Sequence, residues 1–294
     1  MATVQDLKRR IRSVRNTRKI TRALELVAAA RLRSAQARIE AMRPYADRMQ
    51  ELMVGTAKAS ASVRGLPLLE RRDVQTVGVL PLTGDRGLAG AFNSQILRRA
   101  FARERSLRAD GKQVRFMVSG RKGRSSLTFR GYELARAWSG FSDRPVYADA
   151  QWIAHALTEL YTEGEVDRVV LIYNHFESAL VQRVVEQDIL PIPEQALEAE
   201  GDETDVVFGD FIYEPEPEQI LERLLPAYLE TELFRALLES AASEQGARMT
   251  AMRNASKNAG ELIDSLTLAM NRARQAEITQ EILEVVAGAD ALRT

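Results

Sequence analysis

Apolar residues in the last quarter of the chain recur in alternating steps of three and four, which predicts one helix from about residue 217 to 289. At 1.5 Å per residue such a helix runs on the order of 110 Å, several times the width of a small domain. It cannot bury itself. Met252, Ala255, Ala259, Leu262, Leu266, Ala269, Ala273 and Ala276 lie on the seam of a coiled coil in this pattern. The seam is mostly alanine, so a partner helix can come close. Beyond it Ile278, Ile282, Val285, Val286 and Ala289 carry an apolar tip to the chain end.

A second helical pattern occupies residues 4–57, with Val4, Leu7, Ile11 and Val14 in one run and Leu32, Ala35, Ile39, Met42, Ala46, Met49 and Met53 in another. The interval from Val14 to Leu32 reads as two heptads plus four residues, a stutter that unwinds a supercoil locally. Pairing the two helices antiparallel with Ala57 opposite Pro217 sets Leu24 beside residues 248–250 and leaves the C-terminal helix longer by about 18 residues. Two long helices of a plain bundle would also carry such heptads. Pro44 and Pro226 fall inside the patterns and are expected to kink or interrupt them.

Between the helices the period changes. Strand-like runs at 77–82, 114–118, 134–138 and 169–173 alternate with helical runs at 92–108, up to 130, and 148–163. Alternation of this kind predicts a mostly parallel, Rossmann-like sheet. Further strands are expected at 181–189 and 206–213, flanking an acidic loop at 191–205. The predicted fold class is therefore α/β with a long antiparallel two-helix coiled coil. Its parts are an N-terminal helix (1–57), a central α/β domain (74–213) and a C-terminal helix (217–292).

Charge sharpens this picture. The net charge is zero, yet residues 1–60 hold 14 Lys and Arg against 5 Asp and Glu, and residues 191–247 hold 2 against 15. In the antiparallel register Arg31 to Arg48 lie beside Glu230, Glu232, Glu239 and Glu244. Lys8, Arg9, Arg10, Arg12, Arg15, Arg18, Lys19 and Arg22 instead face residues 250–266, where Glu261 and Asp264 are the only acids. This belt lacks internal counter-charge.

The chain has 45% hydrophobic residues and no cysteine, so no disulfide or thiolate metal site is possible. No apolar run reaches the roughly 18 residues needed to span a membrane. The Arg-rich start has the composition of a mitochondrial transit peptide, but its heptads continue to Met53 and argue that it is retained. His155 and His175 are isolated, so no metal site is expected. Residues 83–90 (TGDRGLAG) and 119–123 (SGRKG) stand where phosphate loops stand, but neither matches a nucleotide fingerprint. Their glycines read as tight-turn residues. No catalytic constellation and no cofactor is predicted.

Two uses fit an apolar-tipped coil with a basic belt. One is a mechanical element enclosed by a partner, and the other is a basic arm lying on nucleic acid. The apolar tip favours the first, because nucleic acid does not bury an apolar helix end.

Four stretches carry a specific resemblance. Residues 11–33 (IRSVRNTRKITRALELVAAARLR), 83–93 (TGDRGLAGAFN), 243–255 (SEQGARMTAMRNA) and 271–288 (NRARQAEITQEILEVVAG) closely resemble the γ-subunit family of F-type ATP synthases, in order and at matching spacing. The resemblance implies a non-catalytic rotor, one copy per complex, turning inside a ring of three α and three β subunits. Its C-terminal tip would sit in an apolar bearing, and its α/β body on the ε subunit and the membrane c-ring. The implied location is peripheral, on the cytoplasmic face of the bacterial plasma membrane, with no nucleic acid as partner.

By motif, Arg274, Gln275 and Thr279 match positions that meet a β catch loop, and Glu244 and Arg248 match a second coupling cluster. Leu24 matches a position near that cluster that is often Met. The belt would find its counter-charge on acidic segments of β. Ala89 stands where the family often has Cys, and the cysteine-bearing insertion of chloroplast γ subunits is absent.

Overall fold

The computed structural model describes residues 3–60, 65–197 and 216–291. The elements in order are α1 (Val4–Ala59), β1 (Thr76–Pro81), α2 (Phe92–Ala109), β2 (Gln113–Ser119), α3 (Arg121–Phe129), β3 (Leu134–Trp138), α4 (Tyr147–Thr162), β4 (Arg168–Phe176), β5 (Gln182–Leu190), a 3-10 turn (Glu194–Leu197) and α5 (Pro217–Ala291). The α/β architecture and both long helices follow the sequence expectation. The strand expected at 206–213 lies outside the described residues. By contacts the chain divides into two units, Met1–Ala28 with Met249–Thr294, and Ala29–Arg248.

In the larger unit the sheet order is β3-β2-β1-β4-β5, parallel except for β5, which runs antiparallel to β4. Strands covered on both faces read as continuous apolar runs, and β4 supplies Val169, Val170, Leu171 and Ile172 in succession. Period-two alternation sends these to opposite faces. Val170 and Ile172 join Val77, Val79, Ile96, Phe101 and Phe116 under α2 and α3. Val169 and Leu171 join Leu80, Ile153, Leu157 and Leu160 under α4, where Met53 of α1 and Leu221, Leu225, Leu229 and Leu233 of α5 complete the layer. Neither proline interrupts its helix.

Several expectations need correction. The α1 seam has no stutter. Leu7, Ile11, Thr21, Glu25, Ala28, Leu32, Ala35, Met42, Met49 and Met53 are all buried and fit one unbroken four-three alternation. Arg18, Thr21 and Glu25 simply occupy seam positions with polar side chains.

On α5 the seam is rotated. Met252 and Ala259 are buried as expected, but Ile263 (8% exposed) takes the place predicted for Leu262, which is 47% exposed. Ala269 is exposed and the half-buried neighbour is Met270.

Pairing also slips by roughly one helical turn. Ser60 donates to Glu218 at 2.8 Å in the larger unit, and in the smaller unit Arg253 donates to Glu25 at 3.1 Å, both beyond the expected register. The expected match between the α1 arginines and the α5 glutamates does not form among the described residues. Arg31 pairs with Asp143, Arg38 donates to the Pro145 carbonyl and Arg48 pairs with Glu51. Glu230 bonds Tyr147 and Gln151, and Glu232 bonds Arg235 and Gln187.

Candidate functional site

Every residue of α5 from 236 to 246 is buried, so the helix is enclosed on all sides there. A helix buried all round is ordinarily apolar all round. This one carries Glu239, Ser243, Glu244 and Gln245, which are costly to bury without partners. The partners come from the C-terminal ends of the strands. His175 Nδ1 lies 2.5 Å from Glu239 Oε2, Ser243 Oγ donates to the Asn174 carbonyl at 3.0 Å, and Gln245 Nε2 donates to Asp143 at 3.2 Å. Arg248 Nη2 donates to Glu244 and, at 3.2 Å, to the Gly87 carbonyl.

Glu244 is the most enclosed of these ions, with 1% of its side chain exposed. Burial pushes its carboxyl above the usual carboxylate range, and the charge and hydrogen bond of Arg248 offset only part of that shift. The TGDRGLAG loop is built against it. A Cβ on Gly84 would stand 2.8 Å from the Glu244 carboxyl carbon, so glycine here serves close approach as well as the turn.

The same loop is tied to the sheet by its polar residues. Thr83 Oγ1 donates to the Ser119 carbonyl at 2.8 Å and accepts from the Gly123 amide at 2.9 Å. The Gly84 amide donates to Asn93 Oδ1 at 2.8 Å. Asp85 accepts from the amides of Arg121 (3.0 Å), Gly140 (2.7 Å) and Ser142 (3.2 Å). Arg121 opens α3, so the helix N-terminus that could hold a phosphate is filled by the chain's own carboxylate. The two glycine turns are thus structural joints. Among the described residues no group of His, Cys, Asp and Glu could hold a metal ion.

In the smaller unit burial is confined to a stripe. Glu25 is buried at the seam and receives Arg22 Nη1 at 2.7 Å and Arg253 Nε at 3.1 Å. Burial alone would raise its carboxyl, but the hydrogen bonds from Arg253 and Arg22 outweigh that and hold it below the usual range. Arg18 lies across Gly260, its guanidinium carbon 3.7 Å from where a Cβ would stand. Leu24 is half-buried.

The belt residues Lys8, Arg9, Arg10, Arg12, Arg15, Arg18, Lys19 and Arg22 are all exposed, and among the described residues only Arg22 makes an ion pair. All residues from 274 to 287 are exposed. Arg274, Gln275 and Thr279 belong to this stretch, as do Ile278, Ile282, Leu283, Val285 and Val286, which are between 47% and 72% exposed. The structure therefore separates the predicted site residues into two kinds. Arg274, Gln275 and Thr279 are open to a partner, whereas Glu244 and Arg248 are inside the chain's own polar collar. Sequence reasoning missed Asp85, Asp143 and Asn93 in that collar, because each sits in a loop or helix start with no periodic signal.

A family model described as ATP synthase matches residues 3–292. The ATP synthase gamma chain of Rubrobacter xylanophilus is 50% identical over 293 residues, with 99% of each chain covered. A chain in the central stalk and c-ring structure of the Tetrahymena thermophila mitochondrial ATP synthase is similar with a TM-score of 0.57 at 27% identity, covering 81% of this chain and 99% of that one. A chain of the Euglena gracilis mitochondrial ATP synthase shares the fold with a TM-score of 0.70 at 17% identity, covering 98% and 94%.

Proposed function

The chain belongs to the ATP synthase γ-chain family, and from that premise we propose how its two helices work as the rotor of the enzyme's central stalk. It is a non-catalytic subunit. Its coil turns inside a ring of three α and three β subunits, and its α/β body is carried by the ε subunit and the membrane c-ring. Proton flow through the c-ring drives the rotation, and the turning coil changes the β sites that make or split ATP. It is peripheral to the membrane, and among the described residues no helix is long and apolar enough to cross one. Its bacterial relatives support the cytoplasmic face of the plasma membrane as the location.

One observation carries the mechanism. The C-terminal end of α5 exposes Ile278, Ile282, Leu283, Val285 and Val286 together. Exposed apolar surface concentrated in this way marks a site of protein contact. An apolar collar in the α and β subunits would shelter it while leaving it free to turn, since apolar contact is non-directional. The belt supplies the complementary term. Its cations other than Arg22, which make no ion pair among the described residues, attract acidic segments of β at any rotary angle, with the interaction screened over about 10 Å at 0.1 M salt. Nucleic acid would satisfy the belt but not the apolar end, so the rotor reading is the better one.

Within this mechanism Arg274, Gln275 and Thr279 are the residues that hydrogen-bond a β loop, being polar and exposed, with Gln275 and Thr279 one turn apart on the same helix face. Glu244 and Arg248 act from the interior by fixing the TGDRGLAG loop, and Leu24 lies on the α1 surface beside the seam. The test is reconstitution with α, β and c-ring subunits in vesicles. Gln275→Leu and Arg274→Ala are expected to lower proton pumping per ATP hydrolysed while the complex still assembles. Equal pumping per ATP in variant and parent would remove these residues from the coupling contact.

A further inference from the structure

The loop between β3 and α4, residues 139–146, is held by both long helices as well as by the sheet. Its Gly140 and Ser142 amides bind Asp85, and the Pro145 carbonyl accepts from Arg38 of α1. At its centre Asp143 gathers cations from three other elements. Arg31 of α1 donates to Oδ2 at 2.9 Å, Arg86 of the β1–α2 loop lies 3.3 Å from the same oxygen, and Gln245 of α5 donates to Oδ1 at 3.2 Å. Arg248 of α5 stands 3.9 Å from Oδ1, and its Nη1 is buried without a hydrogen-bond partner. Three guanidiniums therefore converge on Asp143, and one of them, Arg248, is shared with Glu244.

We propose that Asp143 is the positioning residue that pins α1 and α5 to the α/β body, so that twist applied to the body is delivered to both helices without slip. The proposal rests on the rotor reading and adds to it the point at which torque crosses within the chain. The physical reason is directionality. Apolar packing resists separation of two surfaces but opposes sliding or turning less sharply, whereas charge-assisted hydrogen bonds fix an angle. Asp143 is the one group among the described residues that is bonded to α1, to α5 and to the β1–α2 loop at once. Removing its charge would leave Arg31 and Arg86 without the carboxylate they share and Arg248 with Glu244 alone, and like-charge repulsion among them would open the joint.

The experiment uses the assembled, membrane-reconstituted complex and reads ATP hydrolysis and proton pumping in the same preparation. Asp143→Asn is expected to keep hydrolysis and to lower protons pumped per ATP severalfold. Adding Arg31→Gln removes one surplus cation, and the double variant is expected to recover part of the lost pumping. A role confined to folding the loop would not be rescued by a second lost hydrogen bond.

Unchanged pumping in Asp143→Asn, with a parent complex that pumps, overturns the pin and leaves the rotor reading standing. A double variant no better than the single overturns it as well. If Asp143→Asn does not assemble, the double variant decides: assembly with pumping supports the charge balance, and equal failure to assemble overturns it. A parent chain that assembles with α and β but never pumps removes the rotor reading, and the pin with it.

Discussion

Two stretches of the same helix make opposite demands on their surroundings. Between residues 236 and 246 α5 is buried on every face, and its polar groups are paired with strand ends. Between 274 and 287 it is exposed on every face, and its apolar groups have no cover among the described residues. The first stretch is complete as a monomer. The second, on the rotor proposal, is completed only in an assembly, which would place stability and function in different parts of one element.

Substitutions can sharpen or break that contrast. The largest effect is expected for Leu233→Ala, fully buried under the sheet, at about 2 to 5 kcal/mol in denaturant unfolding of the isolated chain. A loss below that range would mean that α5 packs more loosely against the sheet, just before the enclosed stretch, than its burial implies. Gly84→Ala should cost about 1 to 3 kcal/mol, because the added methyl meets the Glu244 carboxyl and overpacks the joint. Gly87→Ala, with only the Lys122 side chain at 3.6 Å, serves as its near-neutral reference in the same melts.

Two buried glutamates give the contrast a pH signature. Glu25 has a depressed carboxyl, so its contribution is present above the usual carboxylate range and is lost as pH falls through its lowered folded value. Glu244 has a raised one, so its ionised form is a cost at neutral pH that disappears as pH falls through its raised value toward about 4.5. Relative to Glu25→Gln, the parent should therefore lose its advantage in acid. Relative to Glu244→Gln, the parent should improve over the same titration. Unfolding midpoints measured from pH 7 to pH 3, about the span of the carboxylate range, would show curves of opposite slope.

The smallest effect should come from Ile282→Asp, within about 0.5 kcal/mol for the isolated chain because the side chain is already exposed. In the assembled complex the same change should weaken ATP-driven pumping, since it places a charge in an apolar bearing. A large loss of stability in the isolated chain would show that the tip folds onto the rest of the molecule.

The sheet and its helices were legible because β-branched runs such as 168–172 and helical runs such as 147–162 keep one period throughout. The coil was legible as a coil but not in its phase. Leu262 and Ile263 are adjacent and both apolar, and only the partner's geometry decides which one turns inward. On α1 the seam was misread as a stutter because Arg18, Thr21 and Glu25 occupy its positions, and apolar periodicity is silent about polar seam residues. Glu244 and Arg248 were recognisable by motif alone. Their burial was not, since it depends on a loop more than 150 residues earlier in the chain, which meets Arg248 at Gly87.

Asp85 has a consequence for what this body can sense. Doubly wound sheets commonly receive ligands at the carboxyl ends of their strands, and here that doorway is stoppered from within by a carboxylate bonded to three amides. At the start of α3 an outside phosphate would have to displace Asp85 before it could bind.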